Sequence, residues 1–128
     1  MQRNPYTGNP PRPWIRLQLI ALDSGVRELQ LVADTGSPFA LIVGTNVMDQ
    51  FRVRSGPAIE TNFGTIVGGF LHVKIPDTRL DENVLGHAGD SVVHAVQASA
   101  PVFDGVAGLP LLRRLQYGGD ADKFWIDD

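Results

Sequence analysis

From Trp14 onward, Ile15, Leu17, Leu19 and Ala21 or Leu22 alternate with Arg16, Gln18 and Ile20. This period of two suits a β-strand with one buried side. Asp23-Ser24-Gly25 then supplies a turn, and Glu28 to Ala33 returns as a second strand. A lone hairpin is marginal in water, so such a chain needs more strands to close a core. They are at hand. Phe39 to Val43 is a short apolar run, and Ile59 to Ile75 reads as two strands around a glycine-bearing turn, from Phe63-Gly64-Thr65 up to Gly68-Gly69. Asn83 to Leu85 and Ser91 to Gln97 read as further strands with a turn at Gly86 to Asp90 between them, and Phe124 to Ile126 as a last one.

Only Pro110 to Tyr117 reads as helix. Pro110 suits a first helical position, Leu111, Leu112 and Leu115 share a face, and Gly118-Gly119 offers a stop. The expected class is therefore all-β with one short C-terminal helix. Asn4 to Pro13 holds four prolines and a glycine, which makes residues 1–13 a flexible Pro-rich arm and residues 14–128 the folded domain.

Composition narrows the function. At 128 residues and 43% hydrophobic content the chain can bury one core but not two of ordinary size. Its net charge is -3 with no run of lysine or arginine, so neither a nucleic-acid footprint nor a membrane-surface patch is indicated. A protein or peptide partner fits better. The absence of cysteine removes disulfides, thiol nucleophiles and thiolate metal sites. The longest apolar stretches, Ile15 to Leu22 and Ala40 to Val43, are far below a membrane span, and no basic segment followed by an apolar one opens the chain. That leans toward the cytoplasm and leaves the compartment open.

The chemistry concentrates at Ala33-Asp34-Thr35-Gly36-Ser37. A carboxylate follows a strand of buried character, and a glycine flanked by hydroxyls lets the chain turn tightly behind it. Such a loop can hold a carboxylate at an exposed tip. The same tripeptide also suits an ordinary turn in which the aspartate caps its own backbone.

The wider context resembles the retropepsins and their cellular and bacterial relatives, across nearly the whole chain after Trp14. Strand, turn, strand, Asp-Thr-Gly-Ser, apolar run and glycine-bearing hairpin follow in that family's order. Val106-Ala107-Gly108, leading into Leu109-Pro110-Leu111-Leu112, is similar to its second signature, in which two apolar residues and a glycine cross behind the catalytic loop. Gly64 to Phe70 is similar to the flap that folds over substrate, although Gly68-Gly69 would also suit a plain hairpin bend.

The resemblance implies a closed β-barrel of the acid-protease fold, and an aspartic endopeptidase that needs no cofactor and no metal. In that mechanism two aspartates share a proton and polarise one water, because two negative charges about 3 Å apart cannot both persist. One such loop per chain means that the second carboxylate comes from a twofold-related copy, so a homodimer is expected to act on a peptide or protein substrate. Asp34, Thr35 and Gly36 carry the catalytic loop: Thr35 is expected to bond across the twofold axis, and Gly36 to offer its amide to the carboxylate. Ser37 is expected to donate to an outer carboxylate oxygen and Gly108 to pack behind the loop. The flap candidates are Phe63, Gly64, Ile66, Val67, Gly68 and Gly69. Phe124-Trp125-Ile126 is a candidate strand for an intersubunit sheet.

Other residues have plainer readings. His72, His87 and His94 lack metal-ligand spacing and read as surface or strand histidines. Asp120, Asp122, Asp127 and Asp128 read as a solvated acidic end, Arg113 and Arg114 as the wet face of the helix, and Trp14 and Trp125 as core or interface anchors. A noncatalytic dimerisation or peptide-binding module on the same scaffold is the alternative to an enzyme, since an intact Asp34 loop is necessary for one and permitted by the other.

Overall fold

The structure is a computed structural model and describes residues 1–62 and 64–128. In chain order it runs β1 (Gln2–Pro5), β2 (Trp14–Ile20), β3 (Val26–Asp34), β4 (Leu41–Val43), α1 (Thr45–Phe51), β5 (Arg52–Ser55), β6 (Ile59–Thr61) and β7 (Gly64–Ile66). There follow β8 (Gly68–Lys74), β9 (Asp81–Ala88), α2 (Asp90–Gln97), β10 (Gly105–Gly108), α3 (Leu109–Leu112), β11 (Gln116–Gly119) and β12 (Lys123–Asp127).

Six strands close a barrel in the order β2-β3-β10-β4-β9-β8, and β8 returns to β2. β8 achieves this by dividing its length. Gly69 to Leu71 pair with β5, while His72 to Lys74 pair with Ile20 to Gln18 of β2. The period-two pattern of β2 is realised as expected: Ile15, Leu17 and Leu19 are fully buried, and their neighbours are not. With Leu29, Leu31, Leu41, Val43, Leu71, Val73 and Ala107 they fill the interior. β3, β10 and β4 are buried on both faces, because Val32, Ile42 and Val106 meet Val96, Ala100 and Phe103 from α2 and the turn after it. Continuous apolar runs rather than alternation are what two covered faces require.

Three segments differ from the expectation. Ser91 to Gln97, read as a strand, lies in α2, and the proposed turn at Gly86 to Asp90 is mostly the end of β9. Val92, Val93 and Val96 favour a strand by propensity, but here tertiary packing decides: Val96 is buried and Val92 packs beside it on the second cluster. Residues 45–51 form α1, whose Val47, Met48 and Phe51 face the core. The helix expected over Pro110 to Tyr117 ends at Leu112, because the amides of Arg114 and Leu115 turn back tightly to Leu111 and Leu112. Gly118 and Gly119 lie in β11 rather than stopping a helix, and Trp125 packs where a side chain on Gly118 would sit.

The Pro-rich start, expected as an arm without regular structure, is fastened at both ends. β1 pairs with β12, which pairs with β11, so Phe124-Trp125-Ile126 is the middle of a three-stranded sheet within one chain. Gln2 and Asn4 are buried. The Gln2 amide nitrogen donates to the carbonyls of Arg16 and Pro76, and its oxygen accepts from the Arg16 amide at 2.6 Å and from Asn4 Nδ2 at 2.8 Å. Further along, Thr7 bridges to Arg12, while the Asn9 amide and Pro10 carbonyl bond to Ser99. Among the described residues no helix is long and apolar enough to cross a membrane.

The Gln2 clasp yields a direct test. An unstructured arm would tolerate Gln2→Ala within about 0.5 kcal/mol. Here the substitution strands buried groups of Arg16, Asn4 and Pro76, so urea unfolding should show a loss of roughly 3 kcal/mol.

Candidate active site

β3 delivers Asp34 at its last position, and Thr35 and Gly36 turn the chain immediately after it. Asp34, Thr35 and Gly36 are exposed, whereas Ser37 is buried. The Gly36 amide donates to Asp34 Oδ1 at 2.9 Å, and the Ser37 amide donates to the Asp34 carbonyl at 3.1 Å. These two bonds fix the carboxylate at the tip of the loop, and by themselves they are no more than a tight aspartate turn makes. The Thr35 hydroxyl has no hydrogen-bond partner among the described residues.

What stands behind the loop goes further. β10 runs parallel to β3 with Gly108 in register with Asp34. The Gly108 amide donates to the Ala40 carbonyl and the Leu109 amide to the Ser37 carbonyl, so the chain after β10 is laced to the chain after Asp34. A Cβ on Gly108 would stand 1.8 Å from the Phe39 carbonyl oxygen and 2.9 Å from that of Ser37. Only glycine allows that approach. Ser37 departs from its expected place, since its hydroxyl bonds to the backbone of Phe39, at 3.3 Å to both the amide and the carbonyl, instead of to the carboxylate.

Beyond Phe39 a cavity of about 490 Å³ opens under the hairpin β6–β7, whose two strands pair with no other strand among the described residues. Phe39, Ile42, Ile66 and Val92 supply apolar walls, and His87, Asp90 and threonines 45, 61 and 65 supply polar groups. Of the flap candidates, Gly64 and Ile66 line this cavity. Gly64 has φ of +117°, which explains a glycine there. Val67 is exposed beyond the cavity and accepts a bond from the Ala88 amide. Gly68 and Gly69 are not a bend. They open β8, buried, where side chains would strike the Pro57 carbonyl and the Met48 sulfur. Phe63 lies outside the described residues.

His87 was readable only as a strand histidine, and the structure gives it a more particular setting. It is 5% exposed, and neither ring nitrogen has a hydrogen-bond partner among the described residues. Its ring lies 5.0 Å from that of Phe39, and burial pushes its pKa below the ordinary 6.5. At the cavity rim Asp90 accepts from the Thr45 amide at 2.8 Å and the Thr45 hydroxyl at 2.7 Å, which hold its carboxyl below its usual range. His72 is paired with Asp81 at 2.6 Å, and His94 is exposed. Among the described residues no cluster of three histidine, aspartate or glutamate side chains is placed to hold a metal ion.

Comparison with protein-family models, with curated proteins and with solved structures finds no match for this chain.

Two outcomes follow from this geometry. Gly108→Ala forces the loop or β10 to move, and should cost at least about 3 kcal/mol in urea unfolding. For His87 the unfolded chain takes up a proton that the folded chain resists, so stability should fall as pH drops through 6.5 and keep falling until the folded imidazole also charges. The Asp90 contribution is lost only at lower pH, below its ordinary 3.8. Thermal melts of wild type and His87→Phe between pH 7.5 and 5 should therefore diverge, with the variant losing less.

Proposed function

We propose that the protein is an aspartic endopeptidase of the retropepsin-like kind, active as a homodimer in which Asp34 meets Asp34 of the partner subunit. The observation that carries this is the crossing of β10 behind the Asp34 loop. Gly108 stands in register with Asp34, and the Phe39 and Ser37 carbonyls of the chain just after Asp34 leave no room for a side chain on it. An ordinary turn has no need of such a support. The closed barrel, the exposed carboxylate and the hairpin-covered cavity, which Phe39 lines although Asp34, Thr35 and Gly36 do not, add to it.

One Asp34 acts as general base toward a water held between the two carboxylates, and the other, protonated, donates to the scissile carbonyl. The Gly36 amide holds one oxygen of each carboxylate, leaving the other to face the water. The free hydroxyl of Thr35 pairs across the twofold axis and keeps the two loops level. An extended peptide lies under the β6–β7 hairpins, which shut out water and add strand-like hydrogen bonds.

A noncatalytic peptide-binding or dimerisation module is the second function to weigh, and one observation favours it. Ser37 bonds to Phe39 rather than to the carboxylate. The two functions part on one comparison, made on a denatured protein mixture at mildly acidic and neutral pH with sedimentation alongside. Wild type should cleave and Asp34→Ala should lose at least about a thousandfold in rate while both associate equally. Equal association with no cleavage by either would favour the module.

A further inference from the structure

A buried imidazole with two unpaired nitrogens is costly, since each leaves a desolvated polar group without compensation. His87 is such a group, and it lies on the wall of the cavity beneath the β6–β7 hairpin. Both nitrogens are closed to solvent, and two of the covers are identifiable. On the strand side Gly68 lies so close that even a Cβ there would touch the ring at Cδ2, at 3.5 Å. Phe39 covers the ring from 5.0 Å, tilted by 54°. His87 also lines the cavity, whose volume is ordinary for a small-molecule or side-chain site.

From this we infer that His87 is the specificity-determining residue of this subsite, and that it selects an uncharged substrate side chain with an apolar body and a hydrogen-bonding tip, tyrosine above phenylalanine. The inference rests on the peptidase function for the identity of its occupant as part of a peptide substrate.

The wall chemistry chooses among side chains. Phe39, Ile42, Ile66 and Val92 offer contact to an aromatic or aliphatic body. A carboxylate is disfavoured, because Asp90 stands at the same rim as an anion and burial keeps the imidazole neutral. A cation would have to shed its water among those apolar walls, and both oxygens of Asp90 already accept from Thr45. A phenol meets both requirements. Its ring suits the walls, and its hydroxyl can donate to one imidazole nitrogen or accept from the other. Both nitrogens are closed to solvent, so the occupant must part the imidazole from one of its covers. Phe39 is half-buried and lines the same cavity, so it is the cover that the proposal requires to move. The Ser37 hydroxyl grips the Phe39 backbone, which couples filling of this subsite to the loop that carries Asp34.

The test has a binding arm and a cleavage arm, both on the full chain. In the first, protein labelled with ¹⁵N-histidine is titrated with N-acetyl-tyrosinamide and with N-acetyl-phenylalaninamide up to their solubility limits. The expected result is a shift of a His87 ring nitrogen with the tyrosine amide only. No shift, or the same shift with both, would overturn the assignment. In the second, peptide libraries with one position fixed as tyrosine or phenylalanine are offered to wild type and to His87→Phe, which keeps an aromatic ring in place. Wild type should prefer tyrosine about tenfold, the worth of roughly one net hydrogen bond, and the ratio should fall to about one in the variant. Persistence of the preference in the variant would equally sink the inference. If wild type cleaves nothing while its His87 nitrogen responds to the tyrosine amide, the peptidase function fails and the subsite stands.

Discussion

The rest of the structure depends on how closely β10 is held. It lies parallel to β3 on one side and antiparallel to β4 on the other, and every one of its residues is buried. Both ends are glycine for the same steric reason. A Cβ on Gly105 would stand 2.1 Å from the Ile42 carbonyl oxygen, and one on Gly108 even nearer to that of Phe39. Remove that proximity and the barrel loses the strand that joins its halves, while the Asp34 loop loses its backing. Closure of the barrel and placement of the carboxylate are thus one packing problem.

Much of the strand pattern was legible because the barrel treats different strands differently. β2 has one wet edge of side chains and one dry, so Ile15, Leu17 and Leu19 stand out against Arg16 and Gln18. β3, β4 and β10 are covered twice; β3 and β4 were legible as strands, whereas Val106-Ala107-Gly108 was noticed only for its resemblance to a signature and not as a strand. Of the helices only α3 was legible, and at more than its true length. α1 carries its buried residues at Val47, Met48 and Phe51, a helical spacing present in the sequence but only seven residues long. α2 has three valines over Ser91 to Gln97, which favour a strand by propensity, and nothing local reveals that it lies across the outside of β3, β10 and β4. Such covering is a tertiary fact that overrides propensity.

For the candidate site the outcome is similarly divided. Asp34, Gly36 and Gly108 were legible because each has a backbone duty that few residue types can meet. Gly64 and Ile66 do line a cavity, but Gly68 and Gly69, which look like a bend, serve close packing against Pro57, Met48 and Arg52. A pair of glycines signals close approach or a turn equally well, and only neighbours decide which. His87 and Asp90 escaped because a lone histidine and a lone aspartate carry no spacing. What distinguishes them is a partner that is missing in one case and brought from 45 residues away in the other.

The terminal sheet bears on how such a protein would be controlled. With β1, β12 and β11 already joined, and Gln2 clasped to β2, a single chain completes its own hydrogen bonding without borrowing a strand. Where termini interleave between copies, folding and assembly are one event, and a protomer alone has no stable existence. Here the two are separable. A self-sufficient protomer makes any twofold function a matter of mass action: the paired form rises with the square of the free chain concentration when chains are scarce. For a site shared between two copies, abundance would then be a switch in its own right.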